Sequence, residues 1–296
     1  MIDKVRVLNA LGIDKTLTFS NAYNGIKIRN ITGLGPVAAE FNNSRNSNGV
    51  GVNHTSSYIG QRNIVFSLGL SDTKENTVED LRHNLYLYFP IGQIVELRFE
   101  TDRGDIRQIF GRVESVEPEL FTKDPSLQVS IMCEYPYFYA YQTDENKVTL
   151  LATSPSVVNY QGRINNGMII DILVTAPMPS ETLGTFSFVQ KIVGLPDRQF
   201  QIEDQHLITI ANTKLLPGDR LRISTIRGKK AAKFTHANSE RNVIGALRAV
   251  GGILLPEDQW PEFFVGKESS FSYSSTVYDP TQIQVTISWD VLIEGL

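Results

Sequence analysis

Ile283-Gln284-Val285-Thr286-Ile287-Ser288-Trp289-Asp290-Val291 sets an apolar side chain at every second position and a polar one between. A period of two means an extended strand with one face buried and the other wet. Leu292 breaks the alternation before Ile293 restores it. The same pattern recurs upstream. Val95, Leu97 and Phe99 alternate with Glu96, Arg98 and Glu100, and Val129 with Ile131, Ile208 with Ile210 and Leu221 with Ile223 are shorter versions. Between such segments lie turn signals: Asp102-Arg103-Gly104-Asp105, Pro217-Gly218-Asp219 and Asp279-Pro280. Short strands punctuated this way predict a mainly β chain built of antiparallel sandwiches.

Two segments break the pattern with helical spacing. Val78, Leu81, Leu85 and Tyr88 recur in steps of three and four. Thr77 is placed to cap that helix, with Asp80 as the acid of a capping box, and Pro90 and Gly92 end it. A second helix is expected over Ser239 to Val250, where Val243, Leu247 and Val250 share a face and Gly251-Gly252 follows.

The chain has 296 residues, enough for about two domains. With 41% hydrophobic and 20% charged residues it is too apolar to stay disordered. A net charge of −4 argues against a dedicated nucleic-acid binder, whose domains are usually basic. The single cysteine, Cys133, excludes an intrachain disulfide framework. Residues 1–10 show no signal-peptide run and no stretch approaches a membrane span, so a protein folded inside the cell that made it is expected. Glu40 to Ser57 is the most polar stretch, rich in Asn and Ser, and reads as a long exposed loop or arm. After the aromatic run Tyr135 to Tyr141, the polar segment 142–147 reads as a boundary. It divides the chain into a first domain over 1–141, with the arm near 40–57, and a second over 142–296.

Chemistry is sparse. His54, His83, His206 and His236 have no metal-ligand spacing. There is no nucleophile elbow, no phosphate-binding glycine loop and no dinucleotide fingerprint. Cys133 follows Ile131 and Met132 in a strand and reads as a buried structural thiol. Arg103-Gly104-Asp105 reads as hairpin chemistry. Arg227, Lys229, Lys230 and Lys233 form the one basic cluster, interrupted by Gly228, and read as a solvated hairpin tip. No cofactor, metal or catalytic residue is expected. For sugar stacking the candidates are Trp260, Trp289, Tyr273 and Tyr278; Trp260, between Gln259 and Pro261, is the one placed to offer an exposed platform, whereas Trp289 falls on the apolar face of its strand.

An ordered set of motifs resembles the distal tail (Dit) family of siphophage tail proteins over nearly the whole chain. It comprises Gly60-Gln61-Arg62-Asn63-Ile64, the helix near Thr77 to Phe89, Pro90-Ile91-Gly92, Gly111-Arg112-Val113-Glu114 and Glu134-Tyr135-Pro136-Tyr137-Phe138-Tyr139. Asn166-Gly167, Ala176-Pro177, the Leu216-Pro217-Gly218-Asp219 turn leading to Leu221 and Ile223, and Gly295-Leu296 follow in order. The chain departs at Leu254-Leu255-Pro256-Glu257-Asp258, where the family often has a glycine. The resemblance implies an N-terminal β-sandwich with one α-helix and an extended arm, then a galectin-like C-terminal β-sandwich. It implies a non-enzymatic hub at the virion tail tip, made in the cytoplasm of the bacterial host. The hub would be a homo-hexameric ring joining the tail tube protein to the tail-associated fibre or lysin and receptor-binding proteins. A channel for DNA, without specific nucleic-acid binding, would run through it. The alternative reading is a carbohydrate-binding module at the host surface.

Overall fold

The computed structural model describes residues 1–20, 25–46, 49–119, 122–141, 146–152, 154–176, 185–203, 207, 215–249, 252–275 and 282–296. Ile208, Ile210, His206, Pro177, Tyr278, Asp279-Pro280, Val250 and most of the polar segment after Tyr141 lie outside these residues. The chain forms two compact units. One is Met1–Gln142 together with Ile293–Leu296, and the other is Thr143–Leu292.

In the first unit the strands are β1 (Ile2–Asn9), β2 (Asp14–Thr18), β3 (Ile26–Thr32), β4 (Ala39–Arg45), β5 (Val52–Ile59) and β6 (Arg62–Leu70). After α1 (Val78–Tyr88) come β7 (Ile94–Thr101), β8 (Ile106–Glu119), β9 (Ser126–Cys133) and β10 (Phe138–Ala140). Hydrogen bonds run without a break in the order β2-β1-β7-β8-β9-β6-β3, with β10 on β8. The two layers of this sandwich are therefore halves of one sheet. Bulges at Ile28/Asn30 and Val113/Ser115 interrupt its ladders, and such irregularities sharpen bend and twist. Alternation puts Val5, Val7, Val95, Leu97, Phe99, Ile64, Phe66, Leu68, Val129 and Ile131 inside. Phe66, Phe89, Phe99 and Phe138 make a chain of ring contacts through that core.

Helix α1 follows its sequence signals. Thr77 accepts from the Asp80 amide, and the Asp80 carboxylate accepts from the Thr77 amide at 3.0 Å. The Thr77 hydroxyl, donating to Asp80 Oδ2 at 2.7 Å, and then the Thr77 amide hold the Asp80 carboxyl below its ordinary pKa. Leu81 and Leu85 are buried, which anchors the helix to the core.

The second unit holds β11 (Asn146–Leu150), β12 (Ser156–Asn159), β13 (Ile169–Val174), β14 (Thr185–Ile192) and β15 (Arg198–Glu203). It continues with β16 (Arg220–Ser224), β17 (Ala231–His236), β18 (Ser239–Asn242), β19 (Glu268–Ser275) and β20 (Ile283–Trp289). The last strand, β21 (Leu292–Ile293), belongs to the sheet of the first unit. A six-stranded sheet, β11-β20-β13-β16-β17-β18, packs on a four-stranded one, β12-β19-β14-β15. The decisive alternating segment lies in β20, between β11 and β13, with Ile283, Val285 and Ile287 buried.

The helix expected over Ser239 to Val250 is absent. Ser239–Asn242 is the last strand of a hairpin, followed by a single 3-10 turn at Ile244–Ala246. Ala237 and Asn238 both adopt positive φ, 48° and 65°, which makes the two-residue turn whose twist suits a hairpin. Pairing with β17 then takes up the backbone of Ser239–Asn242 that a helix would need.

Candidate assembly surfaces

The most distinctive surface of the first unit is the β4–β5 ribbon. The polar stretch read as a loop or arm is a two-stranded sheet of its own, and every residue of both strands is exposed. Its register gives it two unlike faces. Ala39 opposes Ile59, Phe41 opposes Ser57, Asn43 opposes His54 and Arg45 opposes Val52. A bulge between Asn42 and Asn43 preserves this arrangement, and the Phe41 and His54 rings meet edge-on at 5.7 Å. One face thus shows Ala39, Phe41, Val52 and Ile59 to solvent among Asn43, Arg45, His54 and Ser57, with Phe41 63% exposed. The other face is polar. Tyr58 donates to the Glu40 carboxylate, and Asn42 Nδ2 donates to Ser56 Oγ at 3.0 Å. A lone two-stranded ribbon is marginal in water, and its free edges are open to further pairing. Alternation told of strands elsewhere, but Asn and Ser hid it here, because an exposed ribbon has no core face to fill.

The ribbon's root is held by one side chain. Arg62, only 2% exposed, reaches four backbone carbonyls. Its Nε donates to Pro136 O at 2.6 Å and its Nη1 to Gly35 O at 2.6 Å and to Gly33 O, while Nη2 donates to Glu294 O. The guanidinium lies over the Phe138 ring at 4.6 Å. Burial lowers its pKa, yet an arginine starts so high that it remains a cation. Gly33 sits at φ +82° with the Asn63 carbonyl where a Cβ would be, so the strand-to-ribbon corner requires glycine there.

The residues considered for chemistry are scattered. His54 is on the ribbon, His83 on α1, and the His236 Nδ1 meets Asp219 Oδ1 at 2.9 Å. Among the described residues no cluster of His, Cys, Asp and Glu could hold a metal. Asp102 and Asp105 flank the β7–β8 turn, where Gly104 has φ +81°. An open groove of about 600 Å³ beside β1, β2 and β3 is lined by Ile2, Thr18, Phe19, Arg29 and Ile31. Arg29 there is already paired with Asp124. Within the second unit a gap of about 30 Å³ between the sheets, lined by Ile172, Phe186 and Phe234, has room for little more than a water.

The basic cluster is largely spent on internal pairs. Arg227 meets Glu262 at 3.3 Å, Lys230 meets Glu257 and Lys233 meets Glu240 at 2.6 Å. Trp260 is corrected: it is not an exposed platform but 7% exposed, with the Lys230 ammonium 5.2 Å from its ring centre. Arg198 donates to its carbonyl at 2.6 Å, so the segment is pinned inward. Neighbouring Glu262 is bound by Arg198 and Arg227, and its main chain by the buried Gln190. These partners lie far off in sequence, so flanking Gln and Pro gave no warning of burial. Trp289 packs against Phe263 at 5.0 Å and Tyr273 stacks on Phe186.

Cys133 is wholly buried, and desolvation pushes its thiol pKa up to about 12. At pH 8 its thiolate fraction is about 1,000-fold below that of a free cysteine. Ellman's reagent should therefore leave the native protein untouched over minutes and titrate one thiol only in denaturant. Rapid reaction without denaturant would contradict this packing.

No protein-family model and no curated protein matches the chain. Solved structures do. The crystal structure of the Dit protein of phage SPP1, described as a paradigm of the hub adsorption apparatus in phages infecting Gram-positive bacteria, aligns with a TM-score of 0.60 and 12% identity. The alignment covers 97% of this chain and 98% of that one. The phage P2 baseplate in its activated conformation with Ca aligns at a TM-score of 0.45 and 13% identity, over 97% and 98%. Through both units, and at a sequence identity that preserves little beyond patterning, the chain has the fold of the Dit hub protein.

Proposed function

We propose that this protein is a structural hub of a phage tail tip, and that its copies close into a ring through the β4–β5 ribbon. The observation that carries the reading is the ribbon itself: fifteen strand residues, all exposed, with Phe41, Val52 and Ile59 left to water on one face. A protruding arm that grips a different surface on the next copy makes a heterologous contact, and such contacts close into rings when the rotation allows. The whole-length likeness to the SPP1 hub protein supports the same role. In this reading the ring is a homo-hexamer with a central channel for DNA. The mildly acidic chain, net charge −4, suits passage of phosphate without retention. The ring joins the tail tube protein to the tail-associated fibre or lysin and to receptor-binding proteins. The second unit, a galectin-like sandwich in this reading, faces those outer partners.

The test is direct. Negative-stain microscopy and native mass measurement at high concentration should show closed rings with a central hole. Phe41→Asp should stop ring closure while leaving the melting temperature within about 2 °C, because Phe41 is exposed and surface changes away from packing cost little. Rings that survive both Phe41→Asp and Ile59→Asp would remove the ribbon from the interface.

A further inference from the structure

The four carbonyls gripped by Arg62 are not a random set. Gly33 and Gly35 lie on the leg of chain that enters the ribbon, between the end of β3 at Thr32 and the start of β4 at Ala39. Arg62 itself ends the leg that leaves the ribbon, three residues after Ile59. Pro136 belongs to the stretch after which the chain passes into the second unit, and Glu294 to the stretch by which it returns. The returning stretch also touches the ribbon's root by itself. Leu296 N donates to Leu34 O at 3.1 Å, and a Cβ on Gly295 would meet Leu34 O at 2.9 Å and Gly35 C at 3.2 Å.

We propose that Arg62 is the positioning residue of the ribbon: it ties both of the ribbon's legs to the two stretches of chain that connect the units. A displacement of either stretch is then felt at the root of the ribbon. The physics favours a shared node over four separate contacts. A buried guanidinium is planar and rigid, and its donors fan out in fixed directions. Among the described residues its hydrogen-bond partners are carbonyls and not carboxylates, so losing one carbonyl strands a charged donor in a dry site, and the remaining partners must shift to satisfy it. The ring of Phe138 fixes the plane from one face. Motion at Glu294 therefore re-aims the same group that holds Gly33 and Gly35. The inference rests on the reading of the ribbon as an assembly arm for its biological meaning, but not for its test.

The test is hydrogen exchange on the monomeric protein. Gly295→Val wedges the returning stretch away from Leu34 and Gly35 without touching Arg62 or the ribbon. Exchange should speed up on the order of tenfold in the peptide spanning residues 33–40 and in that spanning 59–63. Helix α1 and strand β7 should keep their unaltered rates. Arg62→Lys, which keeps the charge but cannot span four carbonyls, should speed exchange in those two peptides by a larger factor than in α1 and β7, whose rates follow only the loss of overall stability. Change confined to residues 293–296 would overturn the proposal, since the contacts would then be independent. An equal rise in α1 and β7 would overturn it too, because Arg62 would then serve general stability alone. Ring closure of these variants, scored separately, bears on the arm reading only.

Discussion

Replacing Arg62 by methionine lowers the thermal midpoint of the first unit by roughly 10 °C. The stem of the side chain is kept, so the loss is in the hydrogen bonds. Four carbonyls lose a charge-assisted donor, from Gly33, Gly35, Pro136 and Glu294. A hydrogen bond to a charged group is worth about 1.5–3 kcal/mol, and a buried acceptor left unmade costs about 1–3 kcal/mol. The sum is not the answer, because removing the cation also relieves its desolvation, which already lowers its pKa here. A net loss of about 3–4 kcal/mol is expected, at about 2–4 °C per kcal/mol for a unit of this size. Both tryptophans, Trp260 and Trp289, lie in the second unit. Tryptophan fluorescence should therefore stay in place while a calorimetric transition without that signal moves down. A shift under 2 °C in both would show that water replaces the guanidinium without loss.

What the sequence made legible divides along a physical line. Strands with one buried face and one wet face announce themselves, so β7 and β16 were readable residue by residue, and β20 through Ile283, Val285 and Ile287, although Thr286 between them is buried too. So was α1, whose cap is local: Thr77 and Asp80 need only each other. Long-range features were not readable. Arg62 stood out as a residue of a familiar pattern, but its partners lie 27 to 232 positions away. The ribbon was seen as an exposed polar segment and not as strands, because period two leaves a trace only where one face is buried. The Ser239 to Val250 error has a related cause. Apolar residues three and four apart also occur by chance where a hairpin strand runs into a 3-10 turn, and Ala237-Asn238 lacks the glycine that usually marks such turns. Trp260 failed because its partners there, Lys230 on the ring and Arg198 on the carbonyl, lie far away in sequence.

Gly167→Ala should cost the second unit about 3 kcal/mol or more, a fall of roughly 6–12 °C, this time with the tryptophan signal moving. The reason is space and not backbone conformation, since Gly167 is not among the glycines at positive φ. A Cβ there would lie 2.4 Å from Ile226 N and from Thr225 C, distances at which backbone must move. It is poorly able to. Asn166 exchanges two backbone bonds with Phe263, at 3.1 and 2.7 Å, and its buried amide donates to Asp290 O at 3.0 Å. On the other side Met168 N donates to Thr225 Oγ1 at 2.8 Å and Thr225 N to Met168 O at 2.9 Å. A methyl between these anchored stretches must break some of those bonds, so the cost sits at or above the usual 1–3 kcal/mol of overpacking. Gly218→Ala is the control. Gly218 has φ +99° and open space around it, so a methyl meets nothing and only the backbone preference is lost, about 1 kcal/mol. If the two substitutions cost the same, close approach at Asn166-Gly167 is not what holds the start of β13 against the start of the β16–β17 turn. A Gly167 cost well above that of Gly218 assigns this pair its physical job, which is to let two backbones touch where any side chain would part them.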